Sequence, residues 1–338
     1  MASKQQLYQH KENLFNIISC LREHGAMTRK ELSLKTSLSW GCVSESLTDL
    51  IERGLVIEEK ASDYQGTGRV PSVIKLSDSF CFLGIDVNEM GLHGCTVGLS
   101  GSLLEFYDST IDNTDEAGIC ASVIDFVEEI LKKQPNILGI GFAMQGIYDA
   151  SRDCWSFPTT QGRVPLHIRK FLEDKLSLPF HIEHDPCCAL LSETRDNGST
   201  RSLLIRLDKG VGASLGQARK LFREGALELG EMVVDPCGTR LCRIVSLKAL
   251  EENTDLSEEE FMRRAGLTLG RVLGNLCHCF FIDEIILCGE MLKYADSLLP
   301  ALSEALSSVY PVPPSVRCAA GADAAVGAAL LAAEHHIY

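Results

Sequence analysis

The sequence predicts two folds in series, a winged helix-turn-helix over residues 1–78 and an α/β body beyond it. Three observations predict this. Three short amphipathic helix patterns lead into two strand-like runs around a glycine-rich turn. From residue 79 onward, apolar runs bounded by Gly and Ser alternate with helical patterns to the C-terminus. Residues 1–78 hold ten Lys or Arg against ten Asp or Glu, so the formal charge of −14 falls wholly on the rest of the chain. Such asymmetry points to two parts with different work. At roughly 100 to 200 residues per domain, 338 residues hold two or three units, each with its own core.

Composition excludes several classes. Apolar residues at 45% and charged residues at 23% are those of an ordinary globular chain. The excess of carboxylates excludes a protein that coats nucleic acid non-specifically, because phosphate binding is driven by Lys and Arg. No apolar run reaches the roughly eighteen residues needed to span a bilayer, and "MASKQQLYQHKENLF" is too polar for a secretion signal, so a cytoplasmic protein with no membrane partner is expected. The fourteen cysteines are scattered and are expected to be reduced. Cys81, Cys95, Cys277 and Cys279 lie in apolar runs, where a thiol behaves as a small hydrophobe. Cys237 and Cys242 differ: "GALELGEMVVDPCGTRLC" surrounds them with carboxylates and glycines, as in a metal site, a ligand site or the remains of one.

The first helix is marked by Leu14, Ile17, Ile18 and Leu21, at three- and four-residue spacing from Asn13 onward, and Gly25 stops it. Thr28 and Glu31 form the Thr-x-x-Glu pattern of a capping box, which starts a second helix. "SLSW" breaks the chain, and Val43, Leu47, Leu50 and Ile51 define a third helix that ends at Gly54. Residues 55–58 and 72–76 are the expected wing strands, with "GTGRVP" between them. A third helix of this kind lies in the major groove and presents Trp40, Ser44, Glu45 and Thr48 to the bases, while Arg69 at the wing tip reaches the minor groove. Lys30, Lys35, Ser39 and Ser44 are the candidate phosphate contacts. A neutral three-helix unit also serves as a packing or dimerisation module; the order of helices, wing turn and basic tip favours operator DNA.

In the body, "FCFLGIDVNEMGLHGCTVGLSGSLLEFYDS" reads as successive strands, "GICASVIDFVEEILKKQ" as a helix and "ILGIGFAM" as the next strand. No repeat of solenoid length is present. Taken in order, "GTGRVP", "LGIDVNEMG", "IGFAMQGIYD", "PLHIRKFLEDKLSLPFHIEHDPCCALLSE", "LDKGVGAS", "GALELGEMVVDPCG", "IILCGEM" and "GADAAVGAALLA" resemble the ROK family of repressors and sugar kinases over nearly the whole chain. The resemblance implies a two-lobed actin/hexokinase-like (ribonuclease H-like) body. Its first lobe would span 79–193 with 322–338, and its second, with the dimerisation region, 194–321. It also implies a sugar in the cleft and, in the kinases, ATP beside it.

Position by position, the nucleotide side departs from the family. The Asp-x-Gly-Gly-Thr phosphate loop is matched by Asp86-Val87-Asn88-Glu89-Met90, the Gly-Thr-Gly-x-Gly loop by Asp208-Lys209-Gly210-Val211-Gly212, and the adenosine-side Gly-Gly by Gly289-Glu290. Each departure adds a carboxylate where an anion must bind. On the sugar side, Asp185 matches the kinase general base, preceded by His184 in place of Asn; a carboxylate capping the following helix is the competing reading. Glu228 matches the sugar-gripping Glu, Glu231 stands where the family has His, and Gln145 replaces the Pro of an upstream loop. The zinc motif is matched by residues 235–244, with Cys237 and Cys242 kept. The only available donor set, Glu231, Asp235, Cys237 and Cys242, mixes thiolates with harder carboxylates, and the alternative is an emptied site in which Arg240 or Arg243 neutralises the carboxylates.

The expected protein is therefore a repressor of ROK type with no catalytic residue and no cofactor. It would bind operator DNA as a homodimer or dimer of dimers, and its effector pocket of Gln145, His184, Asp185, Glu228 and Glu231 would take a sugar or sugar phosphate. Two rivals are a sugar kinase with a DNA-binding head, and a regulator whose body binds another protein. The second, or a non-sugar ligand, is favoured by Met144, Cys187 and Ile244, which make the former sugar cleft more apolar.

Overall fold

In a computed structural model, residues 4–60, 71–159, 161–194, 200–217 and 220–336 of the chain are described. The N-terminal module opens with helix α1 (Lys4–His24), which begins well before the expected Asn13 and buries Leu14, Ile17, Ile18 and Leu21. The capping box at α2 (Arg29–Thr36) is made in both directions: Glu31 N donates to Thr28 Oγ1 at 3.3 Å, and Thr28 N donates to the Glu31 carboxylate at 2.7 Å. Ser39 caps α3 (Trp40–Glu52) by accepting from Cys42 N, and Val43, Leu47 and Leu50 on its inner face are fully buried. The wing strands β1 (Val56–Lys60) and β2 (Ser72–Leu76) pair antiparallel, Val56 opposite Leu76 and Lys60 opposite Ser72. The first strand thus runs two residues past the expected Glu58, because pairing with Ser72 and Val73 continues through Glu59 and Lys60. A bridge from Met27 to Ile74 adds a third edge to the wing. The wing tip, with Arg69, lies outside the described residues.

The body follows as β3 (Cys81–Asn88), β4 (Gly91–Gly98), β5 (Leu103–Ser109), α4 (Glu116–Lys133), β6 (Ile137–Met144), β7 (Ile147–Asp149), β8 (Cys154–Thr159), β9 (Gly162–Leu166), α5 (Ile168–Lys175), β10 (Phe180–His184) and α6 (Asp185–Thr194). It continues with β11 (Arg201–Leu207), β12 (Val211–Gln217), β13 (Lys220–Leu227), α7 (Leu247–Glu251), α8 (Glu258–Cys279), β14 (Glu284–Cys288), α9 (Ala295–Val309), β15 (Ser315–Cys318) and α10 (Ala324–His336). Two five-stranded sheets result, in the orders β10-β6-β3-β4-β5 and β13-β12-β11-β14-β15, with a small antiparallel sheet β7-β8-β9. In the second sheet β11 is antiparallel to β12 and parallel to β14, the mixed arrangement expected of alternating strands and helices.

The described residues fall into two compact units. One comprises Met1–Phe142, His167–Ile182 and Ala328–Tyr338; the other Ala143–Leu166 and Glu183–Gly327. This corrects the boundary expected at residue 193. Helix α6 packs on β11, β12 and β13, so Glu183 onward joins the second unit, as does the β7-β8-β9 sheet. Among the described residues no helix is long and apolar enough to cross a membrane.

Within the second unit α8 lies directly on α9. Gly266, Gly270 and Gly274 recur every four residues on one face, and a Cβ on Gly270 would collide with the Leu302 carbonyl oxygen and approach the Ala305 Cβ to 2.9 Å. The obstacle at Leu302 is backbone, which cannot rotate away. Gly270→Ala gains about 1 kcal/mol of helix propensity but incurs about 1–3 kcal/mol of overpacking. A net loss of stability in urea unfolding is expected; an unchanged or raised midpoint would contradict the close approach.

Candidate functional site

The third helix presents one open face. Trp40, Ser44 and Thr48 follow one another at four-residue spacing, with Glu45 beside them, and Trp40 is 58% exposed. Glu45 and Thr48 are exposed and Ser44 is half-buried. The Thr48 hydroxyl donates to the Ser44 carbonyl at 2.9 Å, which fixes its rotamer with the oxygen still able to accept. Lys30 and Lys35 are exposed on α2. Ser39 is exposed too, its oxygen engaged as the cap of α3 and its proton available to a phosphate. Arg29 and Lys75 are paired with Glu58 at 2.7 Å and Glu59 at 3.0 Å, so the wing neutralises much of its own positive charge.

In the second unit, β10 ends in Glu183 and His184 and delivers Asp185 as the first residue of α6. The His184 ring lies 4.5 Å from that of Trp155, which lies 5.0 Å from Tyr148, its cross-strand partner on β7. Tyr148 Oη donates to Asp153 at 2.6 Å, and Glu183 Oε1 accepts from His184 N at 2.8 Å. The three rings form an aromatic wall. Glu228 is exposed, yet enough protein surrounds it that desolvation raises its carboxyl above the ordinary glutamate value; the Glu231 charge adds to the rise, while His184 and Arg163 oppose it. A group that solvent reaches but protein crowds is one that lines a concavity. Gln145, at the end of β6, is half-buried.

Asp185 is buried, and its Oδ2 lies 3.5 Å from Arg206 Nη1, an ion pair longer than a hydrogen bond. Arg206 Nε donates to Asp208 Oδ2 at 2.8 Å, and Asp208 Oδ1 accepts from Glu290 N at 2.7 Å. Gly289 permits this turn with φ +103°: a Cβ there would meet the Leu207 carbonyl and stand 2.7 Å from Asp208 Oδ1. Two of the loops matched to nucleotide positions are thus tied together by a protein carboxylate. In the first unit, the third matched loop is a tight β3-β4 turn in which Asn88 donates to Asp86 and accepts from Met90 N.

The two carboxylates of the candidate zinc donor set have protein partners. Among the described residues no group of three His, Cys, Asp or Glu is placed to hold an ion. Glu231 is ion-paired with Arg240, Asp235 accepts from the Cys237 and Thr239 N–H groups within its own turn, and burial followed by the Glu231 charge pushes the Cys242 thiol up. Arg240 is therefore the neutralising cation, whereas Arg243 pairs with Glu252 at 3.2 Å. Two further expectations are corrected. Met144 and Cys187 are buried in the core, Cys187 accepting from Ser214 Oγ, so of the three apolar residues only the half-buried Ile244 retains some exposure. Cys279, at the end of α8, is exposed, while Cys81, Cys95 and Cys277 are core thiols.

Residues 82–244 match the ROK family. These residues form a ROK-family domain. The xylose repressor of Caldicellulosiruptor bescii is 24% identical over 229 residues, covering 65% of this chain and 57% of that protein, so the chain matches less than two thirds of that relative's length. The DNA-binding transcriptional dual regulator NagC of Escherichia coli is 21% identical over 336 residues, 85% of this chain and 82% of NagC. Among solved structures, a ROK family transcriptional regulator homologous to the E. coli Mlc protein superposes with a TM-score of 0.80 at 16% identity over 97% of this chain and 96% of that one. A ROK glucokinase from Streptomyces griseus, in complex with glucose and AMPPNP, superposes with a TM-score of 0.62 at 19% identity over 75% of this chain and 99% of its own. The body thus has the actin/hexokinase-like fold.

The ROK domain contains Gln145, His184, Asp185, Glu228 and Glu231, all in the second unit; Gly289, Glu290 and the winged module lie outside it. Sequence reasoning missed Arg206 and the aromatic wall. A cation in the otherwise apolar "SLLIRL" was the available signal for Arg206. The raised Glu228 carboxyl favours the protonated, folded form, so Glu228 weakens folding as pH rises above the ordinary glutamate value, fully once its raised value is passed. Glu228→Gln removes that penalty. The melting temperature of the variant is expected to match wild type near about pH 4 and to exceed it at neutral pH; a difference independent of pH would contradict the assignment.

Proposed function

We propose that this chain is a DNA-binding transcriptional regulator of ROK type, a repressor, whose body senses a sugar or sugar phosphate without transferring phosphate. The observation that carries the reading is the exposed Trp40–Ser44–Glu45–Thr48 face of a capped winged helix, on the same chain as a ROK domain. The relatives support it, one being named a xylose repressor and another a transcriptional dual regulator.

Two third helices of a homodimer would enter successive major grooves of a palindromic operator. An effector that binds one arrangement of the body better than another shifts operator affinity by its differential affinity and no more. His184, Asp185, Glu228 and Gln145 supply the polar groups that a polyhydroxy ligand needs, and the Trp155 ring beside His184 supports an apolar sugar face. Catalysis is disfavoured electrostatically. Asp208 holds the Glu290 N–H, and Asp208 and Glu290 each put a carboxylate in a loop matched to the nucleotide side, so the reading requires neither ATP nor metal.

The test is a thermal-shift screen of the full chain against xylose, glucose, N-acetylglucosamine and their phosphates, followed by gel shift on the DNA upstream of its own gene with each hit. A hit that alters the gel shift is expected. No stabilisation by any sugar, with a protein partner co-purifying instead, would overturn the sensor reading. Trp40→Ala is expected to weaken operator binding at least about tenfold with an unchanged melting temperature, since its ring is exposed; unaltered binding would remove Trp40 from the interface.

A further inference from the structure

The geometry points to Arg206 as a positioning residue that couples Asp185 to the Gly289–Glu290 turn and through it to the paired helices α8 and α9. The proposal rests on the reading that Asp185 belongs to the effector pocket.

The route is contiguous and lies within one compact unit. Arg206 stands on β11 and touches two carboxylates: the buried Asp185 at 3.5 Å through Nη1 and Asp208 at 2.8 Å through Nε. Asp208 is held from three sides. One carboxylate oxygen faces Arg206, the other accepts from Glu290 N, and its carbonyl accepts from Leu247 N at 2.8 Å. Glu290 opens the 3-10 turn Glu290–Tyr294, which runs without a break into α9 (Ala295–Val309). The glycine face of α8 leaves no space against α9, so the two helices move together or not at all.

The guanidinium divides its attraction between two carboxylates. Anything that draws Asp185 away, such as a ligand hydroxyl donating to it, leaves that charge to Asp208 and tightens its hold on the turn. Arginine suits this role because its planar fork presents separate N–H groups to two anions, which a single ammonium cannot do at these positions. Arg206 needs no contact with the ligand to act this way.

The experiment needs no ligand, so its failure leaves the effector reading standing and a failed sugar screen leaves this coupling standing. Hydrogen-exchange mass spectrometry on the full chain would follow a peptide covering 288–294 in wild type, Asp208→Asn, Asp185→Asn, Arg206→Lys and Asp185→Asn combined with Arg206→Lys. Asp208→Asn, which weakens the acceptor, is expected to speed exchange. Asp185→Asn is expected to slow it about fivefold, and the slowing is expected to vanish in the Arg206→Lys background. Arg206→Gln, neutral and of similar reach, replaces Arg206→Lys if the lysine variant does not melt cooperatively. An unchanged rate in Asp185→Asn, an equal effect in both backgrounds, or no effect of Asp208→Asn would each overturn the proposal.

Discussion

The Asp208 carboxylate, set between a guanidinium and a backbone N–H, is the interaction on which the candidate site depends. It fixes the end of β11 and the Gly289–Glu290 turn, while the Asp208 main-chain carbonyl accepts from Leu247 N, and the turn in turn sets where α9 begins. Buried or half-buried carboxylates persist only where such partners offset their desolvation. In a fold shared with sugar kinases, backbone N–H groups of glycine loops serve incoming phosphate. Here Asp208, in the position matched to one such loop, accepts from the Glu290 N–H of the adenosine-side match.

On the function proposed above, that arrangement would separate this body chemically from a kinase while leaving the fold intact. The mixed sheet β13-β12-β11-β14-β15 needs only its apolar residues, Leu203, Ile205, Ile285 and Leu287 among them, all buried in one core. Nothing in that packing requires nucleotide. The sugar side keeps its carboxylates, Asp185 and Glu228, but ties the first to Arg206 and sets the second near His184 and Arg163. On the proposed reading, a pocket gripping hydroxyls without a phosphoryl donor beside it would suit a sensor, and the winged module would supply what the sensor controls. The near-neutral charge of that module, with Arg29 and Lys75 paired internally, favours readout by Trp40 and its neighbours over bulk phosphate attraction.

Local signals were legible in the sequence because their causes are local. The Thr28–Glu31 box and the spacing of Val43, Leu47 and Leu50 specify α2 and α3 within a few residues, whereas the cap role of Ser39 was not read from the sequence. The first turns of α1 were not legible, since residues 4–12 are polar apart from the adjacent Leu7 and Tyr8 and show no apolar period. The order of weak motifs gave the two-lobed fold but misplaced its division, because the packing of α6 on β11–β13 joins residues that no local pattern links. Long-range partners were the least legible. Arg206 meets Asp185 from 21 positions away, the Glu290 N–H meets Asp208 across 82, and Trp155 meets His184 only because β7, β8 and β10 converge. Of the two arginines named as possible partners of the carboxylates near the zinc motif, it is Arg240 that pairs with Glu231.

The most direct test of a non-catalytic body is an equilibrium titration of the full chain with Mg-ATP, with and without glucose, followed by analysis of the sugar. The account predicts no saturable nucleotide binding at millimolar ATP and unmodified sugar, because Asp208 and Glu290 would put carboxylates in the loops matched to the nucleotide. Tight Mg-ATP binding accompanied by phosphorylated sugar would contradict it.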